Sequence, residues 1–202
     1  MQLDFTTLAT RDSYPWLLAT VTPRPIAWVS TVSADRRTNL APFSFFNAVC
    51  ARPPTLMFSV ANRPDGTKKD TVCNLEAVPE LVVNLVPFVL AEEMSASAAS
   101  LPYGESEFEH CGIASTPSVR VRPPRVAAAP VAFECVLDRV VLIGEGPQAA
   151  NVIFARILFA HVSDAVLGVD GRPDPAKLDL VARLGGDAYA RTREVFSVTR
   201  PD

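Results

Sequence analysis

The chain has 202 residues, 49% of them hydrophobic and 20% charged, and a formal net charge of −3, so it reads as a single soluble domain over residues 1–202. With no basic block it is not built to hold nucleic acid, and with no stretch near ~20 uncharged apolar residues it has no membrane span. The cysteines, Cys50, Cys73, Cys111 and Cys135, are widely spaced and only His110 and His161 could help them, which excludes a zinc site and points to a cytoplasmic chain with free thiols.

The 18 prolines predict a loop-rich, β-rich chain of short elements, since proline is poorly tolerated inside helices and central strands. Residues 1–20 are a lead-in, with a short helical turn at Tyr14-Pro15-Trp16-Leu17-Leu18 that should pack across the barrel. Nothing there resembles a signal peptide, because Asp4, Arg11 and Asp12 interrupt any apolar run. Pro23 and Pro25 force an extended entry, and residues 26–33 then alternate as a strand. A polar turn over 34–39 leads to Phe43-Ser44-Phe45-Phe46-Asn47, where aromatics interleave with small polar residues. A flat ligand needs that mixture, rings against its face and polar groups against its edge. A barrel strand with aromatics in its core accounts for the same residues.

Residues 55–61 form the next strand, nearly all apolar, with Ser59 as a polar interruption near its end. The run NRPDGTKKDT at 62–71 turns at Pro64-Asp65-Gly66 and carries Arg63, Lys68 and Lys69 into a helix over 71–77 capped by Asp70. Cations and the hydroxyl of Thr71 at a helix N-terminus describe an anion site, although a solvated loop before a capped helix would read the same way. It is not a Walker A loop.

Residues 80–87 read as a strand with Asn84 inside it, and 88–100 as a helix with Leu90, Met94 and Ala98 four apart. Residues 101–126 form a long loop, an arm or lid, whose alternating Glu105, Glu107 and Glu109 make no catalytic pair. Residues 130–145 and 152–163 are matching strands, with His161 in the second as a hydrogen-bonded core or interface residue. A short helix over 175–184, a Gly185-Gly186-Asp187 break, and a terminal strand over 194–198 close the chain.

Four segments together, TPRPIAWVSTVS, NLAPFSFFNAV, NRPDGTKKDT and RLGGDAYARTREVF, resemble the flavin reductase-like, FMN-binding split-barrel family over almost the whole chain. The resemblance implies a mainly β fold, a Greek-key split β-barrel with a few helices, and a homodimer that binds FMN near the subunit interface. It implies that Thr31, Ser44, Phe45, Phe46 and Asn47 lie along the isoalloxazine and ribityl, and that Ser59 sits beside the flavin. Arg63, Lys69, Asp70 and Thr71 would surround the phosphate, with Asp70 as a cap or orienting group, and Tyr189 and Arg191 would approach the flavin or the dimer seam. The hairpin Asp35-Arg36-Arg37 departs from the glycine often found there, and Lys68 is unusual at its position.

The expected activity is an NAD(P)H:FMN oxidoreductase, drawing on NADH or NADPH and able to hand reduced flavin to a partner monooxygenase. Hydride transfer to a flavin needs no protein nucleophile or acid–base dyad, which suits this residue set. The chain has no G-x-G-x-x-G fingerprint, so a nicotinamide would bind without a Rossmann unit. An FMN-holding electron carrier and a non-catalytic binding dimer are the competing readings.

Overall fold

The structure is a computed structural model that describes residues 1–102, 104–199 and 201, and for Thr10 the backbone alone. It is mainly β. The strands in chain order are β1 Arg24–Pro25, β2 Ala27–Val32, β3 Thr38–Phe43, β4 Phe46–Ala51, β5 Pro54–Ala61, β6 Glu80–Asn84, β7 Ser115–Thr116, β8 Arg125–Val126, β9 Val131–Ile143, β10 Ala150–Val162, β11 Val181–Arg183 and β12 Tyr189–Arg191. The helices are α1 Thr10–Thr20, α2 Asp70–Ala77, α3 Ala91–Ala96, α4 Glu107–His110 and α5 Pro175–Leu178.

Seven strands form one antiparallel sheet in the order β3-β2-β6-β9-β10-β5-β4. Hairpins β2–β3, β4–β5 and β9–β10 are local, but β5 pairs with β10 from far along the chain, a Greek-key path. The sheet curls so that β3 at one end approaches β5 near the other, and the rings of Phe43 and Phe58 stack with centroids 5.4 Å apart at 29°. β1, β11 and β12 make a separate three-stranded sheet, and β7 pairs with β8.

Alternation along β2 decides the layering. Ala27 and Val29 point into the curl with Phe58, Val60, Leu81, Val83 and Ile153, closed by Val72 and Leu75 of α2. Ile26 and Trp28 point the other way, under Leu40, Met94, Phe108 and Val126. Trp28 is fully buried, and its indole Nε1 donates to Ser97 Oγ at 2.8 Å, tying the end of α3 to the barrel.

Several elements differ from the sequence reading. The 88–100 helix is a 3₁₀ turn at Phe88–Leu90 followed by α3 alone. The 175–184 helix stops at Leu178 because Asp179 turns left-handed, φ 45°, and the chain then becomes β11. Residues 194–198 carry no strand; the closing strand is β12, held to β11 in register. The lead-in helix is a full eleven residues rather than a turn, with Pro15 inside it. The 101–126 segment, Tyr103 lying outside the described residues, is partly ordered into α4 and the β7–β8 ribbon. Asn84 bridges strands, donating to Trp28 O at 2.9 Å and accepting from Val126 N at 3.0 Å. Among the described residues no helix is long and apolar enough to cross a membrane.

Glu134 on β9 is wholly buried and clamps the loop before β8. Its carboxylate accepts from Val119 N at 2.8 Å and Arg120 N at 2.5 Å, and pairs with His161 Nε2 at 2.5 Å. Burial alone pushes its pKa up, but these partners together hold it below the ordinary value. A depressed carboxylate stabilises the fold above its unfolded pKa, and that stability is lost as pH falls through the folded one. Glu134→Gln should therefore cost about 2 kcal/mol at neutral pH in urea unfolding, and the gap to wild type should close below pH 4.5.

Candidate functional site

A cleft of about 740 Å³ opens where β3, the bend after it, the end of β5, the start of α2 and the chain after α3 converge. Its charged end is built by the 62–71 loop. Gly66 takes φ 84°, which a side chain would oppose, and the turn closes through Gly66 N to Arg63 O at 2.9 Å and Arg63 N to Thr67 O at 2.8 Å. Asp65 Oδ1 accepts from the backbone and hydroxyl of Thr67 at 2.9 and 2.6 Å.

α2 begins there, and its first bonds run from Val72 N and Cys73 N to Lys69 O, at 2.9 and 3.1 Å. The N–H groups of Asp70 and Thr71 precede those bonds and have no partner within the helix. Lys69 occupies the N-cap position, so Asp70 is the first helical residue rather than the cap. Asp70 instead pairs with Arg63, which also donates to Lys68 O, so the two charges cancel. Lys68 turns away to Glu76. Lys69 lines the cleft, and among the described residues no carboxylate pairs with it. It keeps solvent contact through the cleft, yet crowding by protein, and then nearby Arg63, holds its pKa below the ordinary value.

The middle of the cleft is apolar. The run 43–47 breaks at Ser44-Phe45, which form a bend between β3 and β4 and turn Phe45 outward to 37% exposure. Ser59 N donates to Phe45 O at 2.9 Å, fixing the bend against β5. Tyr14 of α1 faces Phe45, centroids 6.5 Å apart at 55°, and the Arg24 guanidinium lies 5.8 Å over the Phe45 ring. Arg24 in turn donates to Leu18 O, Val21 O and Leu184 O at 2.7, 2.6 and 2.5 Å, which anchors α1. Residues 97–101 form the facing wall.

The floor is polar. Asn39 on β3 lines the cleft and donates from Nδ2 to Thr71 Oγ1 at 3.2 Å and to Thr31 Oγ1 at 3.4 Å. Glu107 also lines it and accepts from Leu40 N at 2.7 Å. Burial pushes the Glu107 carboxyl above its ordinary pKa.

The cleft thus brings together seven of the sequence-selected residues: Ser44, Phe45, Ser59, Arg63, Lys69, Asp70 and Thr71. Thr31 lies fully buried beneath the floor. Phe46 packs against the inner core, and Asn47 faces out from the edge strand β4, its Oδ1 accepting from Ala48 N at 2.8 Å. Tyr189 pairs with Arg183, while Arg191 pairs with Asp179 and lies 3.7 Å over Phe88, both away from the cleft of this one chain. Tyr14, Asn39 and Glu107 were not selected from sequence. Asn39 ends a polar turn and Glu107 sits in an acidic run, which are the usual marks of solvated residues.

A family model described as a flavin reductase like domain matches residues 19–172. A protein of Halalkalibacterium halodurans is 38% identical over 203 aligned residues, covering 100% of this chain and 97% of its own. Nitrilotriacetate monooxygenase component B from Bacillus cereus superposes with a TM-score of 0.92 at 32% identity, over 98% of each chain. The 2-nitrobenzoate 2-nitroreductase NbaA of Pseudomonas fluorescens superposes at 0.86 with 28% identity, over 100% of this chain and 96% of that one. A sheet that curls on itself, a cation-tipped cleft along its end strands and a family match over three quarters of the sequence agree, and the chain belongs to the flavin reductase like family, with its split-barrel fold.

Proposed function

We propose that the cleft binds FMN and that the chain, acting as one domain, is an NAD(P)H:FMN oxidoreductase. The observation that carries this reading is Lys69, a cation with no carboxylate partner among the described residues, set at the N-terminus of α2. A flavin phosphate is the charge that position lacks. The rest of the cleft fits the same molecule: a volume in the range of small-ligand sites, aromatic walls at Phe45 and Tyr14, and hydroxyls at Ser44, Ser59 and Thr71.

In this reading Lys69, the Thr71 hydroxyl and the free N–H groups of α2 hold the phosphate. Arg63 stays in place through Asp70, and Asp70 orients it rather than meeting the anion. Phe45, steadied by Arg24, covers the ring and excludes water with Tyr14. Ser44 and Ser59 supply polar contacts at the ring edge. Thr31 acts from beneath the floor, and Phe46 shapes the bend from the core side. Asn47, Tyr189 and Arg191 have no role within one chain's cleft, and their approach to the flavin belongs to a second subunit. FMN, when bound, supplies the redox chemistry, taking a hydride from reduced nicotinamide and passing electrons on.

A homodimer is part of the proposal. Val140, Val141, Leu142, Ile143, Leu158 and Phe159 stand exposed along the β9–β10 hairpin, and Val49 on β4, and such exposed apolar side chains support a second subunit covering them. The free cysteines suit a reducing cytoplasm. The likeness to a monooxygenase component supports delivery of reduced flavin to a monooxygenase partner.

The test is the visible spectrum of the purified, FMN-loaded protein under anaerobic conditions, before and after NADH and then NADPH. Flavin bands that bleach with either donor are the expected outcome and name the donor. Bands that persist with both reject the reductase and leave an electron carrier; a protein that binds no FMN rejects both. Lys69→Ala should raise the Kd for FMN about 10- to 100-fold in a fluorescence titration. An unchanged Kd would remove Lys69 from the phosphate end.

A further inference from the structure

Beneath the cleft, four buried polar side chains form one chain of hydrogen bonds. Asn74 of α2 donates from Nδ2 to Thr31 Oγ1 at 3.1 Å, Asn39 Nδ2 donates to that same oxygen at 3.4 Å, and Asn39 Nδ2 donates again to Thr71 Oγ1 at 3.2 Å. Thr31 is 0% exposed, Thr71 1%, Asn74 3% and Asn39 6%, so water does not set their orientation. The chain links β2, β3 and α2, and it surfaces in the cleft at Asn39 and Thr71.

Asn74 has one feature that packing does not explain. Its Oδ1 is buried with no hydrogen-bond partner among the described residues. Rotating the amide by 180° would exchange the roles, with Thr31 donating to Asn74, and would strand the nitrogen instead. Either way a buried amide keeps one end unpaired for the sake of the bond to Thr31. Buried polar atoms are almost always paired, so an apolar residue would serve this helix face better unless the bond does something else.

With the Asn39 amide placed nitrogen-first toward the threonines, the two hydrogens of its Nδ2 go one to each threonine oxygen. Thr71 Oγ1 therefore accepts from Asn39, and its own hydrogen must point elsewhere. Thr71 stands in the first turn of α2 and lines the cleft beside Lys69. A hydroxyl held as an acceptor from behind is a fixed donor in front.

We propose that Asn74, acting through Thr31 and Asn39, is a positioning residue that fixes the Thr71 hydroxyl as a donor to an anionic group in the cleft, and so makes the site select phosphorylated over unphosphorylated flavin. The inference rests on the FMN reading above and adds a basis for discriminating FMN from riboflavin. Asn74 and Asn39 do not touch the reacting ring in this scheme; they act on the group that meets the phosphate.

The test compares Kd values for FMN and riboflavin by fluorescence titration, on wild type, Asn74→Leu, Thr71→Val, Thr71→Ser and the Asn74→Leu/Thr71→Val double variant. Asn74→Leu should weaken FMN about tenfold and riboflavin less than about twofold. Thr71→Val should give the same selective loss and Thr71→Ser should restore binding. The double variant should lose no more than Thr71→Val alone, because the two residues act in series. Equal loss of both flavins, or additive losses, overturns the inference and makes Asn74 a packing residue. If Asn74→Leu does not fold, Asn39→Ala interrupts the same chain and must show the same selectivity. A wild type that binds neither flavin overturns the FMN reading itself, which separates the two failures.

Discussion

β2 is buried on both faces along its whole length, and the rest of the molecule answers to that constraint. A strand with no solvent face needs a layer on each side. The curled sheet and α2 cover one side, and α3, α4 and the β8 region cover the other. Its polar side chains must all find partners inside, since a buried unpaired group costs about 1–3 kcal/mol. Trp28 reaches Ser97, Ser30 reaches Pro124 O at 2.5 Å, and Thr31 reaches Asn39 and Asn74. The bonds to Ser97, Pro124 and Asn74 fix segments outside the sheet, and the one to Asn39 ties β2 to its neighbour β3. Ser97 begins one wall of the cleft and Asn39 forms its floor, so the site takes its shape from the needs of a core strand.

The charge pattern at the cleft follows from which cations are already paired. Arg63, Lys68 and Lys69 sit close in sequence and look interchangeable. The fold neutralises the first with Asp70 and the second with Glu76, and among the described residues leaves the third without a carboxylate. An exposed ion pair contributes little to stability, so the pairings matter less for holding the loop than for deciding where positive charge stays available. The crowding that lowers the pKa of Lys69 also weakens its hydration, and a less hydrated cation gains more from an entering anion.

Much of this was legible in the sequence. The extended entry at Pro23 and Pro25, the turn at Gly66 and the β9–β10 hairpin are set by local chemistry, and residues chosen from the 62–71 run, with Ser44, Phe45 and Ser59, line the cleft. Where the reading missed, longer-range contacts decided. The predicted helix after Pro175 is cut short at Asp179, whose carboxylate meets Arg191 from β12. Asp70 is a good cap by type, but Arg63 claims it. Tyr14 and Phe45 are 31 residues apart and come together because Arg24 holds α1 by its carbonyls and also covers the ring. No periodicity in the sequence reports such a contact. The pleat gives each residue a face, but only the curl of the sheet says which faces enclose a cleft.

Glu134 and Glu107 show how the same residue serves the fold in one place and the site in another. Both are buried. Glu134 is met by two backbone N–H groups and His161, and its pKa ends below the ordinary value despite burial. Glu107 is met by Leu40 N, with Asp70 nearby adding repulsion, and burial prevails, pushing its pKa up. Keeping an under-compensated carboxyl costs stability, and a purely structural position would favour glutamine or an apolar residue. Glu107 is also the one that opens onto the cleft. An acceptor that water and protein hydrogens satisfy poorly is well suited to hydroxyls on an entering ligand. Glu107 opens onto the cleft and Asn74 lies beneath its floor, and each keeps a polar group less compensated than a purely packed position would.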